Sequence, residues 1–246
     1  MERRDRFFLR VQYLLGRLAA CVTASLVFLA LRLRGYRIRD LKRIRAEVAR
    51  LHREHEGPWL ICPNHLTMID SVLISCGLAS LGGHIFRFRR VPWNLPERDN
   101  FQRNLFLTVL CYLAKCIPVN RGGSREELQR VLDKCRTVLE WRQSLLIFPE
   151  GGRSRTGRVS RENFSYSVGR FVDENPGCRV MLVYLRGDGQ ETWGMLPRRG
   201  ERFTMRVEVF DPGREEGGGL RLQREYARRI TERLADMEDE YFAGRG

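Results

Sequence analysis

The sequence predicts an α/β fold preceded by a membrane-associating helix, on three observations. Short apolar or β-branched runs alternate with stretches of helical periodicity. The chain has 246 residues, of which 43% are hydrophobic, and is therefore long enough to bury a core. An uncharged run of 14 residues, Leu18–Leu31, lies near the start between arginines. We divide the chain into a basic, apolar membrane-associating segment, residues 1–45, and an α/β domain, residues 46–246.

Six runs are predicted to be strands, and two helices carry clear apolar stripes. A Ser124/Glu127 pair forms a capping-box pattern before the first of these helices. We expect both stripes to be core contacts. The strands are Pro58–Cys62, His84–Phe88, Ile117–Val119, Leu145–Phe148, Arg179–Leu185 and Phe203–Phe210; the stripes are Leu128, Val131, Leu132, Cys135 and Val138, then Tyr226, Ile230, Leu234, Met237 and Tyr241.

The net charge of +14 predicts an anionic partner, either a phospholipid surface or a nucleic acid. Residues 1–45 hold twelve basic residues against three acidic ones, so the excess lies beside the apolar run. This placement favours membrane lipids. The chain has no recognisable nucleic-acid motif and no interleaving of basic and aromatic residues, which predicts that nucleic acid is not a partner.

The run Leu18–Leu31 is short for a membrane span, which needs roughly 20 apolar residues. We expect a helix that lies in, or dips into, one leaflet of an anionic membrane. The alternative is a buried core helix. The seven cysteines include no C-x-x-C pair, which favours a reduced cytosolic compartment over a disulfide scaffold.

The first candidate catalytic block is Asn64-His65, followed by Asp70, directly after an apolar strand. A histidine where a strand ends can present its imidazole in a cleft. From the start of the next helix, Asp70 can reach back to one ring nitrogen, fix the tautomer and leave the other nitrogen as a general base. The alternative is a histidine that caps a helix.

A second block, Phe148 to Arg155, places two glycines and two arginines after another apolar strand. Backbone amides freed by Gly151 and Gly152, beside guanidinium groups, are typical of a phosphate-binding concavity. Glu150 is placed to orient a substrate hydroxyl or to pair with an arginine. The alternative is an ordinary turn with solvated arginines. A third element, Cys116–Gly123, repeats the pattern of strand, arginine and glycines.

Together, these blocks resemble the glycerophospholipid acyltransferase superfamily over roughly residues 58–210. Its N-H-x4-D block and its F-P-E-G block are both present, in order and 85 residues apart. Four features depart from the pattern: Lys115 replaces a glycine, Pro118 replaces an aromatic or apolar residue, Gly152 replaces a threonine, and the fourth block, Val180–Tyr184, has no proline. The matching residues are Asn64, His65 and Asp70, then Arg121, then Phe148, Pro149, Glu150, Gly151, Arg153 and Ser154, with Gly152 where threonine is usual.

The resemblance implies a central mixed β-sheet flanked by helices and acyl transfer to a lysophospholipid or related lipid alcohol. It implies His65 as general base and Asp70 as its partner. It also implies acyl-CoA or acyl carrier protein as co-substrate, no further cofactor, no metal, and a place on the cytoplasmic face of a membrane. The implied substrate-binding residues are Asn64, Arg121, Glu150, Gly151, Arg153 and Ser154.

Two other functions compete with this one. The runs Lys115–Gly122 and Asn163–Arg170 resemble the tafazzin-type branch, which exchanges acyl chains between phospholipids without a thioester donor. A non-catalytic basic protein that binds membranes is the alternative from a different class.

Overall fold

A computed structural model describes residues 3–101, 104–120, 122–213 and 218–244 of the chain. They include a six-stranded sheet with the strand order β1-β6-β5-β2-β4-β3. The pair β5–β6 is antiparallel and the other pairs are parallel, so the expected mixed sheet is confirmed. The strands are β1 Arg37–Ile38, β2 Trp59–Pro63, β3 Trp93–Asn94, β4 Leu145–Leu146, β5 Arg179–Gly187 and β6 Arg202–Phe210.

Helices cover both faces of the sheet. They are α1 Arg3–Leu33, α2 Leu41–Glu54, α3 Asp70–Leu78, α4 Leu81–Phe86, α5 Arg98–Phe101, α6 Leu105–Leu113, α7 Arg125–Glu140, α8 Ser167–Glu174 and α9 Leu220–Ala243, with a 3-10 turn at Phe88–Arg90.

The core forms two layers, one on each face of the sheet. Alternate residues of a strand point to opposite faces, so a central strand buried on both sides is apolar throughout. In β2, Leu60 and Cys62 pack in the cluster formed with α7, α8 and α9, whereas Trp59 and Ile61 pack in the cluster formed with α2 and α3. This burial fixes β2, and the residues that follow it, at the centre of the molecule.

The strands β2, β5 and β6 are confirmed close to their predicted bounds, but His84–Phe88 is not a strand. This run forms the end of α4 and the start of the 3-10 turn. The Ser80 hydroxyl caps α4 by accepting a hydrogen bond from the Gly83 N–H at 3.1 Å. A short apolar run fits a buried helical turn as well as a strand, so periodicity alone could not decide this element.

Two other predicted strands differ from the structure: one is shorter than expected and the other does not form. The strand β4 ends at Leu146, although the Ile147 N–H still donates to the carbonyl of Ile61. Ile117–Val119 forms no strand; isolated bridges join Val119 to Glu97 and the neighbouring Cys116 to Asn94. The Ile117 and Val119 N–H groups donate to the carbonyls of Asn94 and Pro96, but Pro96 has no N–H to donate to Ile117, and the ladder is interrupted there.

The helix α1 lies on the surface against α4 and α6, with one face packed and one exposed. The Gln12 amide donates to the Tyr112 carbonyl at 3.0 Å and to the Cys116 carbonyl at 2.8 Å. Gly16 allows a close approach, since a Cβ there would lie 2.5 Å from the Leu113 carbonyl oxygen. The opposite face exposes large apolar side chains: Phe7, Phe8, Leu14, Leu15, Leu18, Val22, Leu26, Leu29 and Leu33.

Within the described residues, α1 is the one helix long and apolar enough to cross a membrane. Only 22% of its most apolar window is buried, so α1 is not the core helix of the alternative prediction. After α1, Arg37 and Ile38 form β1 and pair with β6, and residue 45 lies within α2. The division of the chain at residue 45 stays a prediction.

Candidate active site

Asp70 organises the loop that follows β2. This buried side chain lies in the first turn of α3, and its Oδ2 accepts hydrogen bonds from the backbone N–H of Leu66 at 2.6 Å and of Thr67 at 2.7 Å. The Thr67 hydroxyl donates to Oδ1. These three hydrogen bonds to one carboxylate lock the loop that carries His65.

His65 lies where this loop meets a cavity. Its Nδ1 is 3.1 Å from Asp70 Oδ2, and its ring stacks on Phe148 with the ring centres 3.8 Å apart. Among the described residues, Nε2 has no hydrogen-bond partner, and the side chain lines the cavity. The carboxylate favours the tautomer with the proton on Nδ1, which leaves Nε2 as the basic nitrogen.

Asn64, by contrast, is directed into the protein. Its amide donates to the Leu185 carbonyl at 3.0 Å, and its Oδ1 accepts from the Leu185 N–H at 2.7 Å. The residue is fully buried and does not line the cavity. This geometry favours a role in joining the end of β2 to β5 over the predicted contact with substrate.

Glu150 and Ser154 bind the first block directly. The Glu150 carboxylate accepts from the His65 N–H at 3.1 Å, and the Ser154 N–H donates to the His65 carbonyl at 2.9 Å. The Ser154 hydroxyl donates to the carbonyl of Arg158 and does not line the cavity. Burial raises the pKa of Glu150 to about 7, although backbone donors from His65 and Ser160 oppose the rise.

Arg153 lies over the ring of Trp193, with its guanidinium carbon 5.0 Å from the ring centre. Its Nη1 donates to the Gly194 carbonyl at 3.2 Å. Arg153 thus faces the cavity from a held position, beside Gly151 and Arg155.

The cavity has a volume of about 780 Å³, which is in the range of small-molecule and cofactor sites. Its polar lining includes His65, Arg153, Arg155 and Arg170. Its apolar lining includes part of the α7 stripe that we expected to be core: Leu128, Val131 and Leu132, together with Leu95, Val119 and Phe171.

The third element, Cys116–Gly123, reaches the cavity through Val119, while Arg121 lies outside the described residues. Lys115, at the position where glycine is usual, has a φ of 60°, the left-handed conformation that glycine adopts most easily. Its buried ammonium donates to the carbonyls of Phe88 and Val91, and burial lowers the pKa of Lys115 well below its ordinary value.

A buried ion pair behind the site holds its loops. Arg186 Nη1 lies 3.1 Å from Glu238 on α9, and it also donates to the Gly157 carbonyl at 2.7 Å. Glu238 accepts from the Val159 N–H at 2.9 Å. The segment after Arg153 is therefore fastened to the C-terminal helix.

Several residues of the site carry no sequence signal of their own. Trp193 lies outside every recognised block, and Arg170 ends the run Asn163–Arg170, in which no residue was given a role; both line the cavity. Asn94 also lines it and donates to the Ser71 hydroxyl at 2.9 Å. No group of three or more His, Cys, Asp or Glu side chains within the described ranges is arranged to hold a metal ion.

A family model described as Acyltransferase matches residues 37–180, more than half of the chain. The chain belongs to the Acyltransferase family. The match covers His65, Asp70 and the Glu150–Arg153 turn, and it confirms the resemblance to the glycerophospholipid acyltransferase superfamily. No curated protein matches this acyltransferase.

The buried Glu150 predicts a pH-dependent effect on stability. With a pKa of about 7, Glu150 in the folded protein favours the neutral carboxyl. Its contribution to the free energy of unfolding is complete below the pKa of the same group in the unfolded chain, and it is lost as the pH rises through 7. Glu150→Gln stays neutral and keeps an acceptor oxygen. We expect its Tm to rise relative to the wild type between pH 5 and pH 8, by up to roughly 6–12 °C.

Thermal unfolding at both pH values measures this difference, and Glu162→Gln, at an exposed position, is the control. A Tm difference for Glu150→Gln that is the same at pH 5 and pH 8 contradicts the prediction.

Proposed function

We propose that this acyltransferase moves a fatty acyl chain from a thioester to the free hydroxyl of a lysophospholipid or related lipid alcohol. The observation that carries the proposal is the His65–Asp70 pair, with Nδ1 and Oδ2 3.1 Å apart, at the wall of a cavity lined by both arginines and large apolar side chains. Such a lining suits a molecule that carries both a phosphate and a hydrocarbon chain.

In the proposed reaction, His65 Nε2 takes the proton of the acceptor hydroxyl as its oxygen attacks the thioester carbonyl carbon. The carbon–sulfur bond then breaks, and the thiolate leaves with the proton returned by the imidazolium. Asp70 stabilises the imidazolium through Nδ1, and its bonds to the backbone at Leu66 and Thr67 keep the ring in place.

We assign the acceptor phosphate to Arg153, with Arg155 and Arg170 nearby on the same wall. Arg170 is also paired with Glu174 at 2.8 Å, which leaves Arg153 and Arg155 with more freedom to bind an anion. The role of Arg121 as a further phosphate ligand stays a prediction from the sequence. Gly151 places its backbone on the cavity wall, where a side chain would take up space.

We assign the hydrocarbon chain to the apolar wall formed by Leu128, Val131 and Leu132. A smaller apolar cleft of about 110 Å³ lies under α1, and it shares Ser71, Asn94 and Leu146 with the main cavity. An acyl chain that extends past Asn94 would enter this cleft and contact α1.

We also propose acyl-CoA or acyl carrier protein as donor and the cytoplasmic face of a membrane as the location. All seven cysteines are free thiols, which supports a reducing compartment. The competing transacylase function is decided by the donor: activity with phospholipid and lysophospholipid alone, without any thioester, would replace this proposal.

Substitution of the catalytic pair tests the mechanism. We expect His65→Ala to lower kcat by about 10²–10⁴-fold, since general-base catalysis contributes that much. Asp70→Asn can keep an oxygen toward the Leu66 and Thr67 N–H groups but loses the charge that stabilises the imidazolium, so it should cost nearly as much.

Product formation from purified lysolipids and thioesters, followed by mass spectrometry, is the measurement, and an unchanged Tm shows that each variant is folded. A loss below about tenfold for His65→Ala would falsify its role as general base.

The phosphate assignment predicts an effect on acceptor binding. A charge-assisted hydrogen bond contributes about 1.5–3 kcal/mol, so Arg153→Ala should raise KM for a phosphate-bearing acceptor by about ten- to a hundred-fold. The control is Arg228→Ala on α9, where the arginine pairs with Glu225 and Glu232. An unchanged acceptor KM in Arg153→Ala removes this residue from the phosphate site.

The exposed face of α1 predicts membrane binding that survives salt, because apolar insertion is not screened. We expect the full chain to float with anionic vesicles at low and high salt. The double variant Leu18→Glu/Val22→Glu, at two exposed positions one turn apart, should float weakly and only at low salt. Flotation in a density gradient measures both.

The matched control is Arg125→Gln/Arg130→Gln on exposed positions of α7, which changes the net charge by the same amount without altering apolar surface. Complete release of the wild type by salt would show that α1 does not insert.

A further inference from the structure

A second apolar surface lies on the loop Trp193–Leu196, here called the mouth loop. Its side chains are exposed, at 43% for Trp193, 60% for Met195 and 48% for Leu196. Three neighbouring large apolar side chains at a protein surface indicate an interaction site. Tryptophan in particular is enriched where proteins meet the headgroup level of a membrane.

The mouth loop is fastened to the catalytic loop. The Gly194 N–H donates to the Leu66 carbonyl at 3.0 Å, and the Met68 N–H donates to the Met195 carbonyl at 3.2 Å. Arg153 adds its hydrogen bond to the Gly194 carbonyl. Trp193 itself lines the cavity, so the exposed loop forms part of the cavity entrance.

The residues directly after the mouth loop are hydrogen-bonded to the residues that follow α1. The Tyr36 hydroxyl donates to the Pro197 carbonyl at 3.0 Å, and the Gly200 N–H donates to the Arg34 carbonyl at 2.8 Å. The last turns of α1 expose Leu29 and Leu33. The mouth loop therefore continues the exposed apolar surface of α1 toward the cavity.

The net charge around this surface is positive. Arginines at 34, 198, 199 and 202 are exposed, and none of them forms an ion pair within the part of the chain that the structure describes. Of the nearby acids, Asp188 pairs with Arg39 and Glu201 accepts from the Gly189 N–H, while Glu191 is exposed two residues before Trp193. Apolar side chains beside an excess of arginine complement an anionic bilayer, which offers hydrocarbon and phosphate together.

We propose that the mouth loop inserts into the headgroup region of an anionic phospholipid bilayer, together with the end of α1. The cavity then opens onto the membrane beside Trp193, and the acceptor lipid enters from the bilayer without passing through water. The insertion is independent of the reaction, whereas lateral entry rests on the proposed acyl transfer to a lipid.

The first experiment measures insertion without using activity. The full chain is bound to vesicles of phosphatidylcholine and phosphatidylglycerol that carry brominated acyl chains, and tryptophan emission is compared with that in unbrominated vesicles. Trp59 and Trp93 are fully buried, whereas Trp141 is half-buried and its ring lies 5.7 Å from the Arg10 guanidinium of α1. Trp193 should supply most of the quenching, and Trp141→Phe is the matched control. We expect quenching to fall by at least about half in Trp193→Phe.

Equal quenching of the wild type and Trp193→Phe, with both proteins bound to the vesicles, overturns the proposal. It would show that the membrane contact is made by α1 alone and would leave the mouth loop for a protein partner.

The second experiment tests entry from the bilayer with Leu196→Glu. Leu196 is chosen because it does not line the cavity, whereas Met195 contacts Arg153. The substitution removes one leucine that would be buried in the bilayer and adds a charge there. KM for a vesicle-embedded lysolipid should therefore rise by about tenfold or more. The kcat/KM for a short-chain, monomeric lysolipid should not change.

The control is Val209→Glu, which introduces the same charge at an exposed position of β6. Val209 lies about 23 Å along the strand from Arg202, where β6 begins. An unchanged KM for vesicle-embedded acceptor in Leu196→Glu overturns lateral entry. If the wild type shows no acyl transfer, the proposed function fails, while the quenching result still decides insertion.

Discussion

The site depends on one buried carboxylate. Asp70 accepts hydrogen bonds from two backbone N–H groups and a hydroxyl at the start of α3, and these bonds fold the residues that follow β2 into the loop that carries His65. The same carboxylate lies against Nδ1 of His65. A buried carboxylate without donors is strongly unfavourable, so the loop and the orientation of the imidazole are held together by one side chain.

The sheet then brings the Phe148–Arg155 block next to the Asn64–Asp70 block. The strands β2 and β4 are parallel neighbours, with Leu60 opposite Leu145, so the chain leaves both strands at the same edge. At that edge Glu150 binds the His65 N–H, and the His65 carbonyl binds the Ser154 N–H. Ligands in open α/β sheets bind beyond the carboxyl ends of strands for this topological reason. His65 and Glu150, which are 85 residues apart in the sequence, are thereby joined by a hydrogen bond.

Much of this site follows from the sequence because each block ends an apolar strand and carries chemistry in its next few residues. The His65–Asp70 pairing and the turn at Gly151 belong to that local pattern. Trp193 and Arg170 were not predictable, since only the tertiary fold places their segments on the cavity. The two-residue strands β1 and β3 are too short to show a period. The α7 stripe was assigned wholly to the core because a cavity wall and a core have the same apolar pattern.

The tie between Glu238 and the segment after Arg153 also has a consequence for biosynthesis. The Val159 N–H and Arg186 are held by a carboxylate that follows Val159 by 79 residues. A nascent chain therefore leaves the ribosome with the Asn64–Asp70 and Phe148–Arg155 blocks complete before Glu238 has been added. Until α9 packs, Arg186 lacks its carboxylate partner, so the segment after Arg153 is fastened only when α9 joins the fold.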